Sequence, residues 1–239
     1  MEEKLLTIAQ ASEILNVSLD TLRRWDKNGK LVAIRKEGGV HRYYRQIDLE
    51  LFKNDLMKTA LNWTIEEFKL PSIFYCENSA MFQTRLVKMQ NLMIQSGLSE
   101  NILPLIVAIT GEIGNNSFDH NLGKWPDSPG VFFGFNIVKK QIVLADRGIG
   151  VLSTLGRVRT ELKNHTEALK VAFTEIVSGR APEERGNGLK FVRRVIEENP
   201  ISLFFQSGDA KLRLKKDNAE LFITRSQVNI RGCFVIIEY

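Results

Sequence analysis

The chain has 239 residues, 44% of them apolar, with 26% charged, a formal net charge of +5 and a pI of about 9.2. That length fits one or two domains, and that apolar share excludes wholesale disorder. The basic balance is too small to name a nucleic-acid partner by itself. Two cysteines, Cys76 and Cys233, stand without a close Cys/His cluster, which argues against a structural zinc site and fits a reduced, intracellular chain.

The first residues, MEEKLLTIAQ, lack the basic-then-apolar plan of a secretory signal. The most apolar stretch, 102–110, is too short to span a bilayer. The expectation is a soluble, cytoplasmic protein with no membrane partner.

In chain order, helical apolar spacing covers residues 9–15 and 19–27, with Ser18 as N-cap of the second helix and Asn28-Gly29 ending it. Residues 31–35 and 41–45 read as a small β-hairpin about Gly38-Gly39, and 48–58 as a third helix. The pattern fades over 59–71, where Pro71 breaks it. Helices follow at 78–95 and 101–121, and strands at 131–137 and 141–145. Residues 151–185 read as a polar, partly helical connection, 189–198 as a helix, and 202–206, 211–215, 220–225 and 232–239 as strands. The expected divisions are 1–58, a linker at 59–74, and 75–239. The expected fold class is α+β, a small helix-turn-helix domain followed by an α/β sandwich with a mixed, mostly antiparallel sheet.

Charge concentrates near the start. Residues 21–45 hold eight basic side chains (Arg23, Arg24, Lys27, Lys30, Arg35, Lys36, Arg42, Arg45) against Asp26 and Glu37. Phosphate neutralisation needs such clustering, because each contact releases a counterion. A helix-turn-helix sets the N-terminal side chains of its second helix against base edges, here Ser18, Asp20, Thr21, Arg23 and Arg24. A solvated basic face would have the same composition.

The run TIAQASEILNVSLDTLRRWDKNGKL, followed by GGVHRYYRQIDL, resembles the winged helix-turn-helix of MerR-type regulators and excisionase-like proteins over residues 5–52. The resemblance implies double-stranded DNA as partner. Arg23 and Arg24 would contact it from the recognition helix, and His41, Arg42 and Tyr43 would touch the backbone from the wing. Trp25 reads as core. Relatives dimerise through a long helix after the wing; that helix is short here, and a homodimer is left open.

Three motifs mark the rest of the chain. In the first, Glu112, Asn116 and His120 recur at i, i+4 and i+8, on one helix face, with Ile109, Ile113 and Phe118 for packing. An amide carbonyl suits Mg²⁺, and a carboxylate one turn away can orient or deprotonate a nucleophile. An ordinary solvated helix can also present this stripe. The second, Asp146-Arg147-Gly148-Ile149-Gly150, follows an apolar strand. Its carboxylate can accept from an adenine amino group, and its glycines let backbone approach a ligand; a plain Asx turn fits as well. The third is Gly186-Asn187-Gly188-Leu189, directly before a helix, where free N–H groups suit phosphate. No Gly-Lys-Ser/Thr follows, so it is not a Walker A loop.

In this order the three motifs resemble the GHKL ATPase superfamily over residues 75–239, and within it the compact anti-sigma-factor serine kinases. The resemblance implies a Bergerat-type sandwich and the cofactors ATP and Mg²⁺. Glu112 would be general base, Asn116 metal ligand, His120 part of the nucleotide motif, and Asp146 the adenine acceptor. Gly148 and Gly150 would line the base pocket, and Gly186, Gly188 and Leu189 would close on the phosphates. The stretch between Gly150 and Gly186 would be a lid, whose Arg157, Arg159, Arg180 and Arg185 can meet the γ-phosphate or lie in solvent. His165 in that lid reads as a surface residue. Gly232-Cys233 stands where many relatives carry Gly-Thr. No helical hairpin with a phosphorylatable histidine precedes the motifs, so a histidine autokinase is not expected. Three functions remain open: a DNA-binding regulator whose nucleotide state sets DNA or partner affinity, a serine/threonine kinase acting on a separate protein partner, and a slow ATPase.

Overall fold

The computed structural model describes residues 4–29, 31–35, 39–53, 55–175, 188–217 and 220–239, with the backbone alone at 47, 50 and 51. The chain divides into two compact units, Met1–Lys58 and Thr59–Tyr239.

In the first unit, β1 (Leu5–Thr7) leads into α1 (Ile8–Leu15). Thr7 and Gln10 form a reciprocal capping box: the Gln10 N–H donates to Thr7 Oγ1 at 3.3 Å and the Thr7 N–H to Gln10 Oε1 at 2.9 Å. Asn16, left-handed at φ 51°, ends the helix. Ser18 caps α2 (Leu19–Lys27) as its position predicts, accepting from the Thr21 N–H at 3.1 Å. Leu6, Ala11, Leu22, Leu31, Ala33, Tyr44 and Leu49 form one core, and Trp25 packs on it with its ring centroid 4.6 Å from that of Phe52.

The expected hairpin is not the one formed. β2 (Tyr43–Arg45) pairs antiparallel with β1, Leu6 facing Tyr44, and Ile34 adds one bridge to Tyr43. β2 thus pairs with β1 along a ladder and with Ile34 at one bridge, while Leu31 and Ala33 reach the core without a ladder. The expected third helix divides into α3 (Gln46–Lys53) and α4 (Leu56–Ile65). Asp55 restarts it, its carboxylate accepting from the N–H groups of Met57 (3.1 Å) and Lys58 (3.2 Å).

In the second unit, residues 59–74 are packed chain and not a free linker. Trp63 and Phe74 are each 1% exposed, and the Phe74 ring stacks on Phe132 with centroids 5.3 Å apart. Then come β3 (Tyr75–Cys76), α5 (Ser79–Gln95), α6 (Leu103–Asn121), β4 (Val131–Asn136), β5 (Gln141–Asp146), α7 (Gly150–Leu155), α8 (His165–Thr174), α9 (Gly188–Glu198), β6 (Ser202–Leu214) and β7 (Ile223–Glu238). The strands lie in the order β3-β4-β5-β7-β6, and every described neighbour pair is antiparallel, which replaces the expected mixed sheet. Alternate strand residues such as Phe133, Leu144, Val235 and Phe205 bury against helix residues such as Phe82, Ile109, Phe173 and Val192. Each fully buried side chain of this size stabilises by roughly 1.5–3 kcal/mol. Phe132 and Phe74 pack on the other side of the sheet, because successive strand residues point to opposite faces.

Two differences from the sequence reading come from long-range pairing. β6 and β7 are each one long strand where two short ones are expected. Register shifts around Gly208 (φ +59°) let the ladder continue through Ser207-Gly208-Asp209, a run that reads locally as a turn. The connection after Gly150 is less polar than expected, since Ala168, Leu169, Val171 and Phe173 on α8 are buried. Residues 176–187, which include Arg180, Arg185 and Gly186, lie outside the described residues.

Candidate functional site

α6 carries the polar stripe Glu112, Asn116 and His120 along a hollow whose other walls come from β5, α7, α9 and the sheet. It is lined by Ser117, Asn121, Asp146, Gly150, Thr154, Gly188, Leu189, Phe205 and Cys233 as well, and contains about 840 Å³ of space, open solvent at its mouth included. Apolar walls with a few convergent polar groups suit a small organic ligand. Described residues of all three motifs line it: Glu112, Asn116 and His120 from the first, Asp146 and Gly150 from the second, Gly188 and Leu189 from the third.

Asp146, at the end of β5, is 2% exposed. Ser117 Oγ donates to its Oδ2 at 2.8 Å, and the Gly148 N–H to its Oδ1 at 2.8 Å. Burial pushes its pKa up to about 6, while hydrogen bonds from the Gly148 N–H, Ser117, the Cys233 N–H and Asn121 pull the other way. Asn121, 4% exposed, ties the helix to the glycine turn: its Oδ1 accepts from the Ile149 N–H at 2.8 Å and its Nδ2 donates to the Ser117 carbonyl at 2.7 Å. A side chain at Gly148 would collide with Asn121, so the glycine there serves packing of the turn on α6.

Glu112 Oε1 accepts from Asn116 Nδ2 at 3.0 Å. That bond spends the amide nitrogen of Asn116 and leaves its carbonyl oxygen for another partner. Gly188, the first residue of α9, lies so close to the Glu112 carboxylate that a β-carbon would overlap it. Burial lowers the His120 pKa, with Lys124 adding to the shift and Glu112 opposing it. Burial and the neighbouring Asp146 push the Cys233 thiol well above its ordinary value.

Sequence reasoning missed Ser117, Asn121, Ser207 and Arg147. Ser117 and Asn121 form a second i, i+4 pair beside the first stripe, a signal present in the sequence. Ser207 accepts from the Val151 N–H at 3.0 Å and donates to the Gly232 carbonyl at 2.9 Å; only the fold brings it there. Arg147, 4% exposed, holds Asp127 (Nη2–Oδ2 2.7 Å) and donates to the Trp63 carbonyl, while Arg231 also pairs with Asp127. Of the arginines expected in the lid, Arg157 is exposed and Arg159 is engaged with Glu161 and Glu175 (2.9 Å). His165 is not a plain surface residue: it is half-buried, its ring lies against Gly208, and its Nδ1 has no hydrogen-bond partner.

In the first unit, Ser18 and Thr21 serve the cap of α2, their hydroxyls 3.0 Å apart. Arg23 and Arg24 are exposed on α2, Arg23 paired with Asp20 at 2.6 Å. A concave face gathers Arg23, Arg24, Lys27, Arg35 and Arg42 about Asp26 and Val32. Asp26 is the hub: it accepts from Arg35 Nη2 and Arg42 Nε, each at 2.7 Å, and from the Ala33 N–H at 2.9 Å. Its burial raises its pKa, but those three donors outweigh it and the net shift is downward. His41 is exposed; Tyr43 is half-buried, its backbone paired with Ile34.

This first unit is a helix-turn-helix domain: a family model described as helix-turn-helix domain matches residues 5–56. Over 69 residues the chain is 33% identical to the Type II methyltransferase M.Eco47II of Escherichia coli, covering 29% of this chain and 16% of that protein. Over 59 residues it is 44% identical to the transcriptional repressor DcmR of Methylorubrum extorquens, covering 25% of this chain and 22% of that protein. The chain therefore spans less than a quarter of the length of either relative. Among the described residues, no helix is long and apolar enough to cross a membrane.

Proposed function

We propose that this protein is a DNA-binding transcriptional regulator whose second unit binds ATP with Mg²⁺, and whose nucleotide state sets its affinity for DNA or a protein partner. The helix-turn-helix match and the likeness to a named transcriptional repressor support the DNA half. The basic concave face supports a winged, MerR-type reader, with Arg23 and Arg24 aimed at the major groove and Arg42, His41 and Tyr43 at phosphates.

The observation that carries the nucleotide half is the single hollow shared by Glu112, Asn116, Asp146, Gly150, Gly188 and Leu189. A five-stranded sheet with α5, α6, α8 and α9 buried against one face supports a GHKL-like sandwich, although its described pairs are all antiparallel. Asp146, once ionised, accepts an adenine amino group at the closed end. Asn116 would be the residue to hold Mg²⁺, through its carbonyl oxygen, and the metal would supply charge stabilisation to a bound triphosphate. No group of three or more His, Cys, Asp or Glu residues arranged to hold a metal occurs among the described residues, so a metal here depends on the triphosphate. Bound ATP would supply the transferable phosphoryl group. The backbone N–H groups of the first turn of α9, unpaired within the helix, would suit its anion.

Calorimetric titration with ATP and ADP, with and without Mg²⁺, on the wild type and Asp146→Asn tests the site. Mg²⁺-dependent ATP binding that Asp146→Asn weakens supports it; equal binding in both proteins removes Asp146 from it. A shift of DNA affinity with a non-hydrolysable ATP analogue tests the coupling. A second reading, a serine/threonine kinase of the anti-sigma-factor type, draws on the Glu112 carboxylate at the hollow, placed to take a hydroxyl proton. Transfer of labelled phosphate to a partner protein that disappears in Glu112→Ala favours it. Phosphate release alone favours a slow ATPase.

A further inference from the structure

We propose that the distal β6–β7 ribbon of the second unit is a second contact for the phosphate backbone of duplex DNA; the choice of DNA rests on the reading of the first unit given above. β6 and β7 pair past the Gly208 bulge through Ala210↔Arg225, Lys211↔Thr224 and Leu212↔Ile223. Ala210, Leu212 and Leu214 are buried in the core. Alternation therefore puts Lys211 and Arg213 on the opposite face, about 6.7 Å apart along the strand. Lys215 and Lys216 continue from the strand end and are exposed. Residues 211–216 thus hold four cations and no carboxylate.

Among the described residues these cations have no carboxylate partner. None of Lys211, Arg213, Lys215 and Lys216 is in an ion pair with a described residue; Arg213 rests its guanidinium 5.1 Å above the Phe204 ring centroid. The arginines of α9 differ, since Arg193 and Arg194 are paired with Glu197 and Glu198. Cations spaced along a two-stranded ribbon, flanked by Asp209 and Asp217 but paired with no described carboxylate, suit a polyanion with a repeating charge, and such a ribbon is narrow enough for a DNA groove. Tethering to a helix-turn-helix domain makes duplex DNA the polyanion at highest effective concentration. Contacts of this kind add affinity without reading sequence.

The test measures binding of the full chain to a labelled mixed-sequence duplex across a KCl series. The variants are K211Q/R213Q/K215Q/K216Q, the milder K215Q/K216Q at the exposed strand end, and R23A/R24A, each checked for wild-type thermal unfolding. At ~0.9 per phosphate contact, the fourfold variant lowers the slope of log K against log salt by roughly 3–4 and the double variant by nearly 2. Slopes unchanged in both ribbon variants but lowered in R23A/R24A overturn the ribbon and leave the first unit's role standing. A wild type that binds no duplex overturns both. Ribbon-dependent binding that is tighter to duplex RNA, or to phosphatidylserine vesicles through the 71%-exposed Phe222, overturns the assignment to DNA.

Discussion

Gly188 and Glu112 are fitted to each other: the backbone of the first α9 residue occupies the space beside the α6 carboxylate that any β-carbon would need. Gly188→Ala therefore either displaces the Glu112 side chain or pushes α9 off the hollow. ATP affinity by titration calorimetry is expected to fall at least about tenfold, equivalent to ~1.4 kcal/mol, with a much smaller change in thermal midpoint. Wild-type affinity in Gly188→Ala would separate this contact from the ligand.

The buried carboxylate of Asp146 makes both stability and ligand binding depend on pH. Its folded pKa, about 6, lies above the ordinary 3.8, so protonation favours the folded state. This contribution is fully present below pH ~4 and is lost as pH rises through ~6, on the order of 3 kcal/mol in total. Asp146→Asn removes the dependence, which urea unfolding at pH 4.5 and pH 7.5 (about one pKa unit or more to either side of the ~6 midpoint) detects. Adenine recognition has the opposite sign: acceptance from an amino group needs the ionised form, so ATP affinity falls below pH ~6 in the wild type.

Arg147 follows Asp146 but faces away from the hollow, into Asp127 and the Trp63 carbonyl. Arg147→Met leaves Asp127 to Arg231 and the Ser128 N–H and takes the donor from the buried Trp63 carbonyl, and is expected to cost about 1–3 kcal/mol in denaturant unfolding. Arg147→Met/Asp127→Leu costs less than the sum of the single changes, because the two charges leave together, although Arg231 loses its partner. Additive losses would show that the pair is not a coupled unit.

Asp26 is expected to stabilise the first unit through the donors that hold it ionised. Its folded pKa is depressed, so this contribution is present above the ordinary value of 3.8 and lost as pH falls through the folded value. Asp26→Asn weakens the grip on Arg35 and Arg42. Chemical unfolding of the variant should lose the acid-side decline of the wild type, and its DNA affinity should fall even though a negative charge has gone, since Arg42 is no longer held in place. A rise in affinity would mean that charge alone counts.

What reads locally in the sequence is short-range. The capped helices at Thr7 and Ser18, the helix-turn-helix order and the i, i+4, i+8 stripe on α6 depend on neighbours within a turn or two, and the spacing reports them. The pairing of β1 with β2 could not be read this way, because its partners Leu6 and Tyr44 stand 38 residues apart in the chain. Nor could the roles of Ser207 and Arg147 be read, because their partners lie 25 and 20 residues or more away.

The amino-acid sequence by itself determined most of the helices, the helix-turn-helix order over residues 5–52 and the candidate residues Glu112, Asn116, Asp146 and Gly188. Only the tertiary structure decided that those four border one hollow, that residues 59–74 cover the sheet, and that β6 and β7 run unbroken past Gly208. The reason is that periodicity encodes which face a residue takes, whereas which faces meet is settled by burial and strand pairing summed over the whole chain.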